Sequence, residues 1–167
     1  MKNATRLIIS ALAITSSAWA GSTGGGENLL DNGDFEKKKA RWKGDGSVEV
    51  VEAGNKALVL EIDDRKELEI AQKIKTKNLK RVVLTFRCKI SEDFDGVGMT
   101  LRFVRPDRSS TYRTYAPDRL SRGKWKTYTW DFREIRDERD MIFKIETKTG
   151  DAGSIFIDDL KIVAKDV

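Results

Sequence analysis

Val82-Val83-Leu84-Thr85-Phe86-Arg87-Cys88-Lys89-Ile90 is the stretch on which the reading of the fold turns. From Leu84 to Ile90 apolar and polar side chains alternate strictly, and a period of two is that of a half-buried β-strand. Leu84, Phe86, Cys88 and Ile90 therefore face a core, while Thr85, Arg87 and Lys89 face out. The same short alternation recurs on both sides of it. Upstream lie Ser47 to Val51, Ala57 to Ile62 and Leu68 to Ile74. Downstream lie Gly98 to Val104, Ser110 to Ala116, Trp125 to Phe132, Met141 to Glu146 and Ser154 to Val163. Asn28 to Glu36 opens the series with a short extended segment. Turn signals such as Asp95-Gly96, Pro106-Asp107, Arg122-Gly123 and Gly150-Asp151 separate the runs. Glu134 to Asp140 is short and charged and reads as a loop with one turn of helix at most. About ten short strands at this spacing predict an all-β fold, a two-sheet antiparallel β-sandwich.

Parity assigns the remaining faces. Met99, Leu101 and Phe103 point inward, leaving Thr100 and Arg102 outside. Tyr128, Trp130 and Phe132 form the apolar side of their strand. On 110–116, Tyr112 and Thr114 are taken inward, which places Arg113 and Tyr115 outside. If the strands are neighbours in one sheet, Arg87, Lys89, Arg102 and Arg113 form a stripe of cations with Tyr115 beside it. The plain alternative is a solvated face whose cations meet acids such as Glu69.

Residues 1–20 read as a signal peptide. Lys2 and Arg6 precede the apolar run Leu7 to Ile14, and Ala18-Trp19-Ala20 suits a signal peptidase. The run is too short to span a bilayer, which takes roughly 20 apolar residues. Residues 21–27, with Ser22-Thr23-Gly24-Gly25-Gly26, form a flexible spacer, and 28–167 suit one β-sandwich domain. Loss of Lys2 and Arg6 would reduce the net charge from +5 to +3. Acids interleave with the bases, so no nucleic-acid partner is implied. The expectation is a secreted or periplasmic monomer without membrane insertion.

Cys88 is the only cysteine and histidine is absent. No internal disulfide is possible. Ser-His-Asp and Cys-His sites and imidazole-based zinc sites are excluded. On the apolar side of its strand, Cys88 reads as a buried inert thiol rather than a reactive one.

Two segments at opposite ends of the domain are distinctive together. One is Asn28-Leu29-Leu30-Asp31-Asn32-Gly33-Asp34-Phe35-Glu36, followed by Trp42. The other is Gly153-Ser154-Ile155-Phe156-Ile157-Asp158-Asp159-Leu160-Lys161-Ile162. With Ala57-Leu58-Val59-Leu60 and Trp125 to Phe132 between them, the chain resembles the galactose-binding-like jelly-roll carbohydrate-binding modules of bacterial cellulases and xylanases, families four, nine and twenty-two. The resemblance implies a jelly roll, sugar binding on a concave sheet face or at end loops, and a structural calcium ion. The positions matching the calcium ligands are Asp34, Gly54 through its carbonyl, and Asp158, with Glu36 an addition. Hard oxygen donors suit calcium. Alternatively these acids cap turns or pair with lysines.

The resulting expectation is a non-catalytic secreted carbohydrate-binding protein whose partner is a polysaccharide or oligosaccharide. Sugar binding calls for exposed aromatic platforms and planar polar groups. Phe35, Phe86, Phe103, Tyr128, Trp130, Phe132 and Phe156 read as core, leaving Tyr115, Tyr112, Trp42 and Trp125 as platforms. Arg87, Lys89, Arg102, Arg113 and Tyr115 form the expected ligand site, and arginine's planar fork favours an acidic polysaccharide. Two other readings stand beside it. One is a structural or adhesive sandwich that binds protein. The other is a small polysaccharide lyase or glycosidase, with Arg113 and Tyr115 pressed into catalysis, although no carboxylate pair shares their outward face.

Overall fold

The computed structural model describes residues 26–165 except 64, 77, 78 and 134–139. The expected signal peptide, most of the spacer and most of the Glu134 to Asp140 loop lie outside the described residues. Ten strands follow in order: β1 (Lys43–Gly44), β2 (Ser47–Glu52), β3 (Asn55–Ile62), β4 (Glu69–Lys75), β5 (Val82–Ile90), β6 (Met99–Val104), β7 (Ser110–Tyr115), β8 (Lys126–Phe132), β9 (Asp140–Glu146) and β10 (Gly153–Ala164). A 3-10 turn, Pro117–Arg119, lies between β7 and β8. The strands form two five-stranded sheets. Sheet A has the order β2-β3-β10-β5-β8 and sheet B the order β1-β4-β9-β6-β7. Every pairing within them is antiparallel. Sequential strands β5 and β6 belong to different sheets, so the chain crosses the sandwich between them. The fold is an all-β jelly roll.

The alternation read on β5 is the alternation observed. Leu84, Phe86, Cys88 and Ile90 are fully buried, and the residues between them are half-exposed. Opposite them, sheet B contributes Leu101, Phe103, Phe143 and Ile145, all fully buried. Aromatic rings join the layers. Phe103 of β6 stacks on Phe132 of β8 at 4.9 Å between centroids, and Phe86 of β5 meets Tyr115 of β7 edge-on at 5.5 Å. Each such pair adds about 0.5–1.5 kcal/mol beyond its area.

The two end motifs meet, as their resemblance implies. Asn28 bridges Val163, and its side-chain oxygen accepts from the Ile162 N–H at 2.9 Å. The Leu160 N–H donates to the Gly33 carbonyl at 2.9 Å. A Cβ on Gly33 would collide with the Leu160 carbonyl oxygen, which explains the glycine in Asn32-Gly33-Asp34. The Asn28 to Glu36 segment is not the extended strand expected, however. Past the Asn28 bridge, Asn32 and Phe35 have φ values of 54° and 53°, and Lys38 and Arg41 continue the left-handed pattern. The segment is therefore a coiled loop, folded so that Phe35 is wholly buried. Gln72, buried on β4, holds it by accepting from the Asp31 N–H at 2.7 Å and donating to the Asp31 carbonyl at 2.9 Å.

Candidate functional site

The expected stripe of four cations does not form, because its strands divide between the sheets. Arg87 and Lys89 lie on β5 in sheet A, whereas Arg102 and Arg113 lie on β6 and β7 in sheet B. The parity expected on β7 is also inverted. Tyr115 pairs with Met99 and is 6% exposed, while Tyr112 pairs with Arg102 and is 61% exposed. Arg113 sits on the Tyr115 side, opposite Leu101, with its guanidinium 5.5 Å from the Tyr115 ring centroid. Burial raises the Tyr115 hydroxyl above its ordinary pKa. A catalytic tyrosine must reach substrate, so this geometry removes the Arg113–Tyr115 assignment to lyase chemistry.

On the outer face of sheet A the two cations are already engaged. The Lys89 ammonium lies 5.0 Å from the Trp125 ring centroid and 5.2 Å from that of Phe156, and pairs with Glu52 at 2.7 Å. Arg87 stacks on Trp125 at 5.1 Å and pairs with Asp159 at 3.4 Å. Phe156 was expected in the core, but its parity on β10 turns it outward, between the inward Ile155 and Ile157. Ala57 and Val59 of β3 alternate with the inward Leu58 and Leu60 yet are 0% and 2% exposed. This face is closed by its own side chains.

The outer face of sheet B is open. Cross-strand register aligns Lys43 of β1 with Ala71 of β4, Ala71 with Lys144 of β9, Lys144 with Arg102 of β6, and Arg102 with Tyr112 of β7. One row thus crosses all five strands with three cations, a small residue and an exposed aromatic ring. Its length is four inter-strand spacings, roughly 19 Å. The Arg102 guanidinium lies 5.3 Å from the Tyr112 ring centroid. The next row carries Glu69, Glu146 and Thr100. Glu146 accepts from Arg102 Nε at 2.9 Å and Glu69 from Lys144 Nζ at 2.8 Å. On the other side of the central row, Lys73, Ile142 and Val104 align. A depression of about 890 Å³ opens there, between Arg41, Lys43, Ala71, Val104, Pro106 and Ile142. A second of about 260 Å³ lies over Glu69, Thr100, Arg102 and Glu146.

Arg102 is the expected ligand residue that falls on this face. Lys43 and Lys144 are not among the ligand residues expected from the sequence. The signal for Lys144 is its place between Phe143 and Ile145, both inward. β1 has only two residues, too few to show a period. Its position depends on Gly44, where φ is 112° and a Cβ would meet the Glu69 carbonyl oxygen. Asp45 then clamps β4, donating its N–H to the Glu69 carbonyl at 2.7 Å and accepting the Glu69 N–H at 3.0 Å.

The four expected calcium ligands fit the ion unequally. Asp158 is 4% exposed, and burial, with the nearby charges of Asp159 and Asp34 adding to it, pushes its carboxyl up to about 6. A carboxylate held among other acids at so dry a place is chemically suited to a hard cation. Glu36 is drawn elsewhere: Lys56 Nζ donates to its carbonyl at 2.7 Å and pairs with its carboxylate at 3.4 Å. Gly54 occupies the exposed β2–β3 turn. Among the described residues, no three acidic or cysteine side chains converge as around an ion. Of the four, Asp158 keeps the chemistry of a hard-cation ligand, near the charge of Asp34 although Arg87 Nη1 also lies 3.8 Å from it, and Glu36 does not. Cys88 is fully buried, and desolvation holds its thiol well above the ordinary range, as expected for an inert one.

No protein-family model and no curated protein matches the chain. Solved structures do. A family 16 carbohydrate-binding module superposes with a TM-score of 0.64 at 17% identity, covering 81% of this chain and 99% of that one. A family 61 module solved in complex with β-1,4-galactotriose gives 0.59 at 17% identity, covering 83% and 99%. The CBM22-1 xylan-binding domain of Paenibacillus barcinonensis Xyn10C gives 0.63 at 13% identity, covering 85% and 97%. Among the described residues, no helix is long and apolar enough to cross a membrane. The chain has the jelly-roll fold of these carbohydrate-binding modules, over nearly the full length of each.

Proposed function

We propose that this is a non-catalytic carbohydrate-binding protein of the secreted or periplasmic space, and that an acidic polysaccharide lies across the outer face of sheet B. The observation that carries the reading is Tyr112. It is a large exposed ring, held by Arg102, at one end of a row that crosses five strands. A pyranose can lay its C–H face on that ring, while Arg102, Glu146, Lys144 and Glu69 offer charged hydrogen-bonding groups to its hydroxyls. A row of roughly 19 Å suits an oligosaccharide stretch rather than a single sugar. The likeness to modules solved with galactotriose or described as xylan-binding supports a glycan as ligand. The preference for an acidic glycan is supported by Lys43, whose charge no acid compensates among the described residues, at the end of the central row.

Native affinity electrophoresis of the mature protein through gels containing neutral or acidic polysaccharides tests this. Retardation by an acidic polymer, lost in Tyr112→Ala, is the expected result. No retardation by any polysaccharide would favour the alternative of a protein-binding sandwich, and release of sugar would establish an enzyme. We also propose that calcium binds at Asp34 and Asp158. An ion that binds only the native state raises stability, so chelator should lower the melting temperature. An unchanged melting temperature removes the ion.

A further inference from the structure

The charges on the sheet B face are sorted along the strands, and not merely abundant. On β4 the outward side chains run Glu69, Ala71, Lys73; on β9 they run Glu146, Lys144, Ile142 in the matching direction. Acids thus occupy one side of the face. There they neutralise Arg102 at 2.9 Å and Lys144 at 2.8 Å. Those two cations present hydrogen bonds more than uncompensated charge. On the other side of the row, from β1 across to the end of β6, the balance differs. Arg41, Lys43, Lys73 and Arg105 border the larger depression, against Asp31 and Asp140. Lys73 pairs with Asp140 at 2.8 Å, and Arg41 lies 3.9 Å from Asp31. Lys43 is exposed and forms no ion pair among the described residues. It stands over Ala71, whose small side chain leaves room for a ligand group beside it.

Resting on the reading of this face as the glycan site, we propose that the β1 end is an anion subsite, with Lys43 as the residue that selects a carboxylate or sulfate substituent. The Arg102–Glu146 and Lys144–Glu69 pairs receive uncharged hydroxyls, and Tyr112, four strands away, receives a ring face. The ligand is then an oligosaccharide whose anionic group lies at the β1 end of the row, its specificity separable from its stacking.

The separation is measurable. Full-length mature protein and the variants Lys43→Ala, Lys43→Arg and Tyr112→Ala are titrated with polymannuronate and with β-1,4-galactan as the acidic and neutral probes. Lys43→Ala should weaken polymannuronate binding about fivefold, the reach of one partly exposed charge contact. It should leave galactan binding unchanged, Lys43→Arg should restore the loss, and added salt should erase the difference. Tyr112→Ala should weaken both. If the wild type binds polymannuronate and Lys43→Ala binds it equally well, the anion subsite is wrong while the glycan face stands. A wild type that binds galactan alone also overturns the subsite. If it binds neither polymer, both readings fall. Unchanged melting temperatures show that Lys43→Ala and Lys43→Arg report on binding rather than folding.

Discussion

The outer faces of the two sheets are built from similar residues and put them to opposite use. Each carries outward cations beside an aromatic ring: Arg87 and Lys89 with Trp125 on sheet A, Arg102 with Tyr112 on sheet B. On sheet A the partners enclose one of the two charges, since the Arg87 side chain stays 33% exposed. Lys89 is held between two rings and a carboxylate, its side chain 14% exposed. On sheet B the ring remains 61% exposed, and depressions open on both sides of the central row. The difference teaches that cations beside an aromatic ring mark a ligand face only where the ring itself stays exposed.

The comparison breaks most readily at its aromatic rings. Tyr112→Ala should weaken polysaccharide binding by about 2 kcal/mol, the loss of an anchoring ring, with no change in melting temperature. Trp125→Ala should do the reverse. It removes the surface on which Arg87 and Lys89 stack, and should cost about 1–2 kcal/mol of stability in chemical denaturation, with glycan binding intact. Lys89→Ala sharpens the same contrast with a smaller loss, about 1 kcal/mol, because Glu52 and the two rings lose one shared cation.

The smallest effect concerns pH. Asp131 lies on the sheet A face, where hydrogen bonds from Arg81 at 2.8 and 2.5 Å hold its carboxyl down at about 2. An aspartate in the unfolded chain titrates near 3.9. The stability from this pair is therefore complete above about pH 4 and is lost as pH falls toward 2. Asp131→Asn should flatten that part of the melting-temperature profile. Glycan binding at neutral pH should not change.

Much of the fold is legible in the residues, and the reason is local. Strict alternation on β5, and the apolar sets on β6 and β8, specify which face is buried without knowledge of the neighbours. The site is less legible because it depends on pairing. In Ser110-Thr111-Tyr112-Arg113-Thr114-Tyr115 the two tyrosines are three apart and fall on opposite faces, so apolar character alone does not choose between them. The choice is made by register, Met99 against Tyr115. Parity turns Arg87 and Arg102 outward correctly, but the crossover between β5 and β6 sends them to opposite sides of the sandwich. Lys43 is invisible to periodicity, since β1 is made by a close glycine approach rather than by an alternating run.

The most direct test of the account is an amide chemical-shift titration of the protein with a soluble acidic oligosaccharide. Perturbations confined to the outer face of sheet B, centred on Lys43, Ala71, Lys144, Arg102 and Tyr112, are the predicted result. Perturbations centred on Arg87, Lys89 and Trp125, with the sheet B face silent, would contradict it.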